Sequence, residues 1–357
     1  MEPADLRAEF PVLERIAYLN AGTDGPVPRR AAEAAQRQIQ HELENGRSGE
    51  QHFTSIMETA AKVREKVAVA FGCGPEQIAL TRSTTDGINT ALSAMDLGPG
   101  DEVLTTDEEH PGLLAPLAAG RVRRGFDVRL VPFAEIAGEA GPRTKLIACS
   151  HVSWVNGQVV DMKALADAPA PVLLDGAQGL GAVPVNPSEL GCDWYAASGQ
   201  KWLCGPDASG YLFAPAELVP PWPGYGSLED AQRALDFELH PDARRFDLGI
   251  VPASMGAWAL ASLELLESAG WDAVHERGAS LAARLAEMLA ERGRKVAPRG
   301  RSTLVSWRSD DPEEEVRRLA AAGVVVRQLP GRGLVRASVG AWSSEDDIRR
   351  LISSSSP

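Results

Sequence analysis

The chain has 357 residues, a formal charge of −13 and 44% hydrophobic residues, enough for one large domain, a smaller second one and a compact core. So acidic a chain is a poor partner for nucleic acid or an anionic membrane surface, and it reads as an acidic cytoplasmic protein. No apolar run approaches the roughly 18 residues of a membrane span, and neither end has the charged-then-apolar pattern of an export signal, so neither is expected.

Taken in order, the first fifteen or so residues are expected to pack against the C-terminal part of the chain. From residue 77 onward, short β-rich runs alternate with longer amphipathic stretches. The strands predicted are QIALT (77–81), DEVLTT (101–106), DVRLVPF (127–133), KLIACS (145–150), PVLLD (171–175), DWYAAS (193–198) and SGYLFA (209–214). Several are apolar throughout, as strands covered on both faces are, which gives an α/β fold built on a mostly parallel sheet flanked by helices. PAELVPPWPGYGS then breaks the pattern, and a helical stretch, ASMGAWALASLELLESAG, carries the chain from about 253 into a small α+β unit with strands STLVSWR, VVVRQL and LVRASVG. The expected division is an arm at 1–17, a large domain at 18–252, a small domain at 253–352 and a disordered tail at 353–357. The four cysteines, Cys73, Cys149, Cys192 and Cys204, form no CxxC pair and have no histidine at metal-ligand spacing, so neither a disulfide nor a metal is expected.

Three signals fall at the carboxyl ends of these strands, the edge where open α/β sheets bind ligands. TRSTTDGIN (81–89) puts Ser83, Thr84 and Thr85 between a strand and a helix, a start that suits a phosphate and equally suits a plain N-cap. Asp175 ends PVLLD ahead of GAQGLG, where it either caps a helix or waits for a cationic partner. Lys201 lies among small residues in AASGQKWLCGP, 26 positions on and past one further strand. A buried lysine loses its charge more easily and can attack an aldehyde to form a Schiff base, whereas an exposed one is only a solvated loop residue. A phosphate site, an acid for a ring nitrogen and an amine for an aldehyde together fit pyridoxal 5'-phosphate.

With these residues in place, the chain resembles the fold-type I pyridoxal phosphate enzymes, and among them the class V aminotransferases and cysteine desulfurase-like proteins. The likeness runs from YLNAGTDGP (18–26) to RASVGAWSSEDDI (336–348). It implies that Thr84, Thr85 and Ser198 hold the phosphate, that His110 of EEHP stacks on the cofactor ring, and that Asp175 pairs with the ring nitrogen. It also implies that Gln178 bonds the ring hydroxyl, that Lys201 carries the cofactor, and that Arg336 clamps the substrate carboxylate through its planar fork. A homodimer is expected on the same ground.

Several positions depart from the family pattern. Gln200 stands where many members have histidine, and Trp154 of HVSWVNG stands where desulfurases have asparagine, with Asn156 expected to take over part of its substrate-side contacts. Ile250 replaces a threonine that in relatives reaches the neighbouring subunit's phosphate. Desulfurases carry a nucleophilic cysteine shortly before the RAS motif, but VVVRQLPGRGLVRAS has none, which argues against a persulfide-forming desulfurase. The resulting expectation is an enzyme acting on an amino acid: an aminotransferase first, a lyase eliminating a β or γ substituent second and an epimerase third. A non-catalytic scaffold of the same fold is the alternative of another class.

Overall fold

A computed structural model describes residues 1–355. In chain order they form α1 (Pro3–Ala8), β1 (Ala17–Tyr18), α2 (Arg29–Asn45), α3 (Glu50–Phe71), β2 (Ile78–Thr81), α4 (Thr84–Ala94), β3 (Glu102–Thr106), α5 (Pro111–Arg124) and β4 (Asp127–Val131). There follow β5 (Thr144–Ser150), α6 (Met162–Ala166), β6 (Val172–Asp175), α7 (Pro187–Leu190), β7 (Trp194–Ser198) and β8 (Gly210–Phe213). The last third holds α8 (Ala253–Ala269), α9 (Trp271–Glu291), β9 (Leu304–Arg308), α10 (Pro312–Ala321), β10 (Val324–Val325), β11 (Arg327–Leu329), β12 (Leu334–Ser338) and α11 (Glu345–Ser354). All seven strands predicted between 77 and 214 are present, each within two residues of its expected ends.

Seven strands make the central sheet in the order β2-β8-β7-β6-β5-β3-β4. The pairs from β7 through β4 are parallel, whereas β8 runs antiparallel to both of its neighbours. The inner strands β3, β6 and β7 are buried at every residue because helices cover both faces, while the edge strand β4 exposes Asp127 and Leu130. The carboxyl ends of β5, β6 and β7 therefore open side by side, and the residues that follow them share one edge.

A separate three-stranded antiparallel sheet, β11-β12-β9, packs with α9 and α11 around its own apolar cluster, which includes Leu285, Val305, Trp307 and Ile348. Ala17 and Leu19 belong to that cluster too, since β1 pairs in parallel with β10. The arm before it is fixed by Arg7, whose guanidinium donates to the Asp347 carboxylate and to Trp342 O. VVVRQL, expected as one strand, is two: residues 324–325 pair with β1 and 327–329 with β12, so the chain changes partner at Val326. The helix placed at the start of the small domain, α8, lies instead against α2 and α3 and buries Ala259, Leu263 and Leu266 in the main core. The serine tail also differs from expectation. α11, begun by a Ser344–Asp347 capping box, continues through Ser353 and Ser354, and Ser355 is buried; residues 356 and 357 lie outside the described ones.

Residues 215–252 form an excursion without strands. One acid holds it: Asp247 accepts from Arg64 Nη2 at 2.6 Å and from Leu80 N–H at 2.8 Å, while Ser227 Oγ donates to its carbonyl. Among the described residues no helix is long and apolar enough to cross a membrane.

Candidate active site

A cavity of about 250 Å³ opens at the carboxyl ends of the parallel strands, with Thr84, Thr85, His110, Asp175, Gln178, Ser198, Lys201 and Arg336 in its wall. These are eight of the nine residues expected to form the site. The ninth, Asn156, is absent from the wall. Its Nδ2 donates to Glu108 Oε1 and Gln158 Oε1, both at 3.0 Å, and its Oδ1 accepts Gln158 N–H, so the amide is spent on the turn it belongs to. The structure therefore does not bring Asn156 together with the other eight.

At one end, α4 begins. Ser83 caps it, its Oγ accepting Asp86 N–H at 3.0 Å, which leaves Thr84 and Thr85 in the first turn with the helix dipole behind them. Ser198 ends β7 opposite Gly210, and only a glycine fits there, because a Cβ would collide with the Ser83 backbone. That close approach brings the end of β7 beside the start of the helix. Thr84 Oγ1, Ser198 Oγ and Gln200 Oε1 are all buried without a partner among the described residues. Buried hydroxyls are rarely left so, and a cluster of them at a helix N-terminus has the chemistry of a phosphate cradle.

Asp175 and Lys201 occupy the middle. Asp175 is buried, and burial raises its pKa while Ala177 N–H, donating to Oδ1 at 2.9 Å, and Lys201 pull it back. Burial lowers Lys201 to about 8, opposed by Asp175 and reinforced by Arg336. The lysine thus titrates within reach of neutral pH and can present a free amine. Gln178 is anchored at both ends of its amide, donating to Gly22 O at 2.8 Å and accepting Trp202 Nε1–H at 3.0 Å. His110 caps α5, with Nδ1 accepting Gly112 N–H at 3.0 Å, and its ring meets Trp154 edge-on at 5.2 Å. Desolvation, then Lys201, Arg327 and Arg336, push this histidine to about 4, so it is neutral at working pH with its remaining proton on Nε2.

The far end carries charge. Arg336, in β12, is 1% exposed and donates through Nη1 to Trp154 O at 2.7 Å, while its Nε and Nη2 are buried without a partner. Burial and Arg327 lower it to about 9. Arg327 also lines the cavity and lies directly opposite Arg336 in the β11–β12 pair, with Nη1 donating to Thr23 Oγ1 at 3.1 Å. Like charges directly across a strand pair are destabilising, and a buried guanidinium without a carboxylate is costlier still. Gly22 makes room for this arrangement, since a Cβ there would sit 2.9 Å from Arg336 Nη2 and 2.7 Å from Ser338 Oγ. Sequence reasoning missed Arg327. The signal was available, an arginine inside the apolar run VVVRQL, but its register against Arg336 exists only in the folded sheet.

These donors fit pyridoxal 5'-phosphate: orphaned hydroxyls at a helix start, an acid in the middle and a titratable lysine beside it. The thiols do not compete for a chemical role. Burial pushes Cys73 and Cys192 up to about 12 and Cys149 and Cys204 well above the ordinary range, so all four are held protonated.

Comparison with known proteins agrees with this geometry. The family model described as aminotransferase class-V matches residues 17–351. A cysteine desulfurase of Serratia proteamaculans is 31% identical over 311 residues, covering 77% of this chain and 74% of that one. A cysteine desulfurase of Pectobacterium atrosepticum is 31% identical over 250 residues, and there the chain spans 61% of the relative's length. Among solved structures, the complex of the cystine C-S lyase C-DES with cysteine persulfide superposes with a TM-score of 0.90 at 27% identity, covering 96% of this chain and 98% of that one. A mutant of C-DES with glycine covalently linked to the pyridoxal phosphate cofactor gives 0.91 at the same identity. A cysteine desulfurase of Thermococcus onnurineus, at 23% identity and 0.85, shares the fold. The cavity, its orphaned donors and the near full-length match lead to one assignment: this chain belongs to the class V aminotransferase family of pyridoxal phosphate-dependent enzymes.

Proposed function

We propose that the chain is a C–S lyase acting on a sulfur-bearing amino acid with two anionic ends, of which cystine is the model. The observation that carries this reading is the arginine pair. Arg336 lies deep and takes the α-carboxylate; Arg327, half-buried nearer the mouth, takes the second carboxylate of a substrate too long for the inner site. The likeness to a protein named as a cystine C-S lyase supports the same choice, as does the β11–β12 connection Pro330–Gly333, which has no cysteine to receive sulfur. Elimination therefore moves ahead of transamination, reversing the order expected from sequence.

When bound, the cofactor supplies an electron sink for the carbanion at the substrate Cα. Thr84, Thr85 and Ser198 would hold its phosphate, His110 and Gln178 would contact its ring, and Asp175 would keep the ring nitrogen protonated. Lys201 would hold the cofactor through its amine and, once that amine is free, its Nζ would take the substrate's α-proton. The electron pair left at Cα becomes the Cα=Cβ bond as the Cβ–S bond breaks, and the sulfur departs with its own pair as a persulfide anion that is protonated on release. Arg336 fixes the substrate so that its Cα–H faces Lys201.

Two copies are proposed to pair through the 215–252 excursion. Support comes from Trp222, Tyr225 and Leu235, which are exposed there, and from an apolar groove beside it lined by Leu80, Ile250, Val251 and Met255. With Ile250 in that groove, the cross-subunit phosphate contact made by a threonine in relatives is lost.

The deciding experiment supplies cystine to the holoenzyme and follows pyruvate, ammonia and thiocysteine. Their release in equal amounts is the expected result. A 2-oxo acid formed with the amino group kept on the cofactor, and no pyruvate, would return the reading to an aminotransferase.

A further inference from the structure

One buried acid beside the cavity has no part in the scheme above. Glu109, in the turn between β3 and α5, is 2% exposed. Its carboxylate accepts Thr106 Oγ1–H at 2.6 Å, Ser150 N–H at 3.0 Å and Ser150 Oγ–H at 2.5 Å. Thr106 ends β3 and Ser150 ends β5, and Ser150 is in register with Asp175 at the end of β6. Glu109 therefore clips the turn that carries His110 to the strand end next to Asp175, joining the two residues given to the cofactor ring.

The groups that share its field are acids: Asp175 on β6 and the Cys149 thiol on β5. Among the described residues no cation pairs with it. Glu108, its neighbour in the turn, is engaged elsewhere, by Ser153 and Asn156. His110 is the following residue, and Lys201 faces Asp175 across the cavity. Three donors favour the charged carboxylate and burial opposes it, and the balance pushes Glu109 up to about 7.

We propose that Glu109 is a positioning residue that pins the His110 turn beside Asp175 and, when ionised, strengthens the hold of that corner on positive charge in the cavity. The proposal rests on the role given to Asp175 above, not on which bond the enzyme breaks. Two variants separate its halves. In Glu109→Gln the amide oxygen still accepts Ser150 N–H and the amide nitrogen donates to a hydroxyl, so the pin stays and the charge is gone. In Glu109→Ala both are lost.

The holoenzyme is titrated by its visible absorbance. Removing a negative charge makes it easier for cationic groups in the cavity to lose a proton, so the midpoint for Glu109→Gln should fall by roughly half a pH unit or more, with cofactor affinity kept. Glu109→Ala should add a several-fold loss of cofactor affinity. The apo-protein gives a second readout. A carboxyl raised from 4.5 in the unfolded chain to about 7 in the fold costs stability as pH rises through that window, so the melting-temperature gain of Glu109→Gln over wild type should grow between about pH 5 and pH 8. An unshifted midpoint with a pH-independent difference in melting temperature would overturn the charge role. Wild-type cofactor affinity in Glu109→Ala would overturn the pin. Failure to cleave cystine would leave all three readouts standing.

Discussion

The two ends of the cavity solve the same problem, holding an anion, by opposite means. At the α4 end no side chain of the wall is cationic; the attraction comes from a helix start and from hydroxyls on Thr84 and Ser198, all on the central sheet and its helix. At the other end two arginines come from a separate small sheet, and one of them is buried without a counter-charge. Neutral donors cost little while they wait, and suit a ligand that stays. A buried guanidinium is expensive while it waits, but discriminates strongly between a substrate with a carboxylate and one without. The difference teaches that, on the proposed roles, the resident group and the passing one would be bound by different physics on different elements.

The comparison breaks most visibly at Arg336. Arg336→Ala should lower kcat/KM for amino acids by roughly 30- to 1000-fold, barely change cofactor affinity, and leave a simple amine without a carboxylate almost unaffected. Arg336→Lys should recover only part of this, because an ammonium lacks the fork. In the unliganded protein, Arg336→Met should raise the melting temperature, since a buried unpaired charge is exchanged for an apolar side chain. Equal losses for amine and amino acid would make Arg336 an ordinary strand residue.

At the hydroxyl end the effects should be smaller and of another kind. Thr84→Ala or Ser198→Ala removes one hydrogen bond to a charged group, about 1.5–3 kcal/mol, so cofactor dissociation should rise by about tenfold or more while kcat at saturating cofactor stays near wild type. Equilibrium dialysis separates the two quantities, and a kcat that fell with affinity intact would dissolve the contrast. Smallest of all is Asn156→Ala. With its amide bonded only within the large-domain turns, it should change kcat/KM no more than about twofold, at a stability cost of about 1 kcal/mol. A loss comparable to that of Arg336→Ala would restore its substrate-side role.

What the sequence made legible follows the same division. The inner strands β3, β6 and β7 announced themselves by apolar runs ending in polar residues, because burial on both faces leaves no alternation to confuse. Asp175, Ser198 and Lys201 could be placed because the first two end such runs and the third lies three residues beyond one. Sheet order could not be read, nor could the pairing that sets Arg327 against Arg336, since those are contacts between segments far apart in the chain. Asn156 failed for a related reason: an amide near a site says nothing about which neighbour claims its hydrogen bonds. That the helix from 253 packs on α2 and α3 could not be read, because an apolar helical stretch shows that it will be buried but not against what.

Arg327 and Arg336, facing each other in register, have a consequence for how the protein behaves among other solutes. Among the described residues Asp24 is the acid that offsets Arg327 and none offsets Arg336, so the cavity is under-neutralised. Any small organic acid that enters relieves that deficit, and by linkage one present at a hundred times its Kd raises stability by about 2.7 kcal/mol. The site is therefore expected to attract carboxylates in general, pyruvate included. On the proposed roles, selectivity would rest with Lys201: an organic acid without an amine would occupy the arginines but could not displace the lysine, and is expected to act as a reversible competitor and a thermal protectant rather than a substrate.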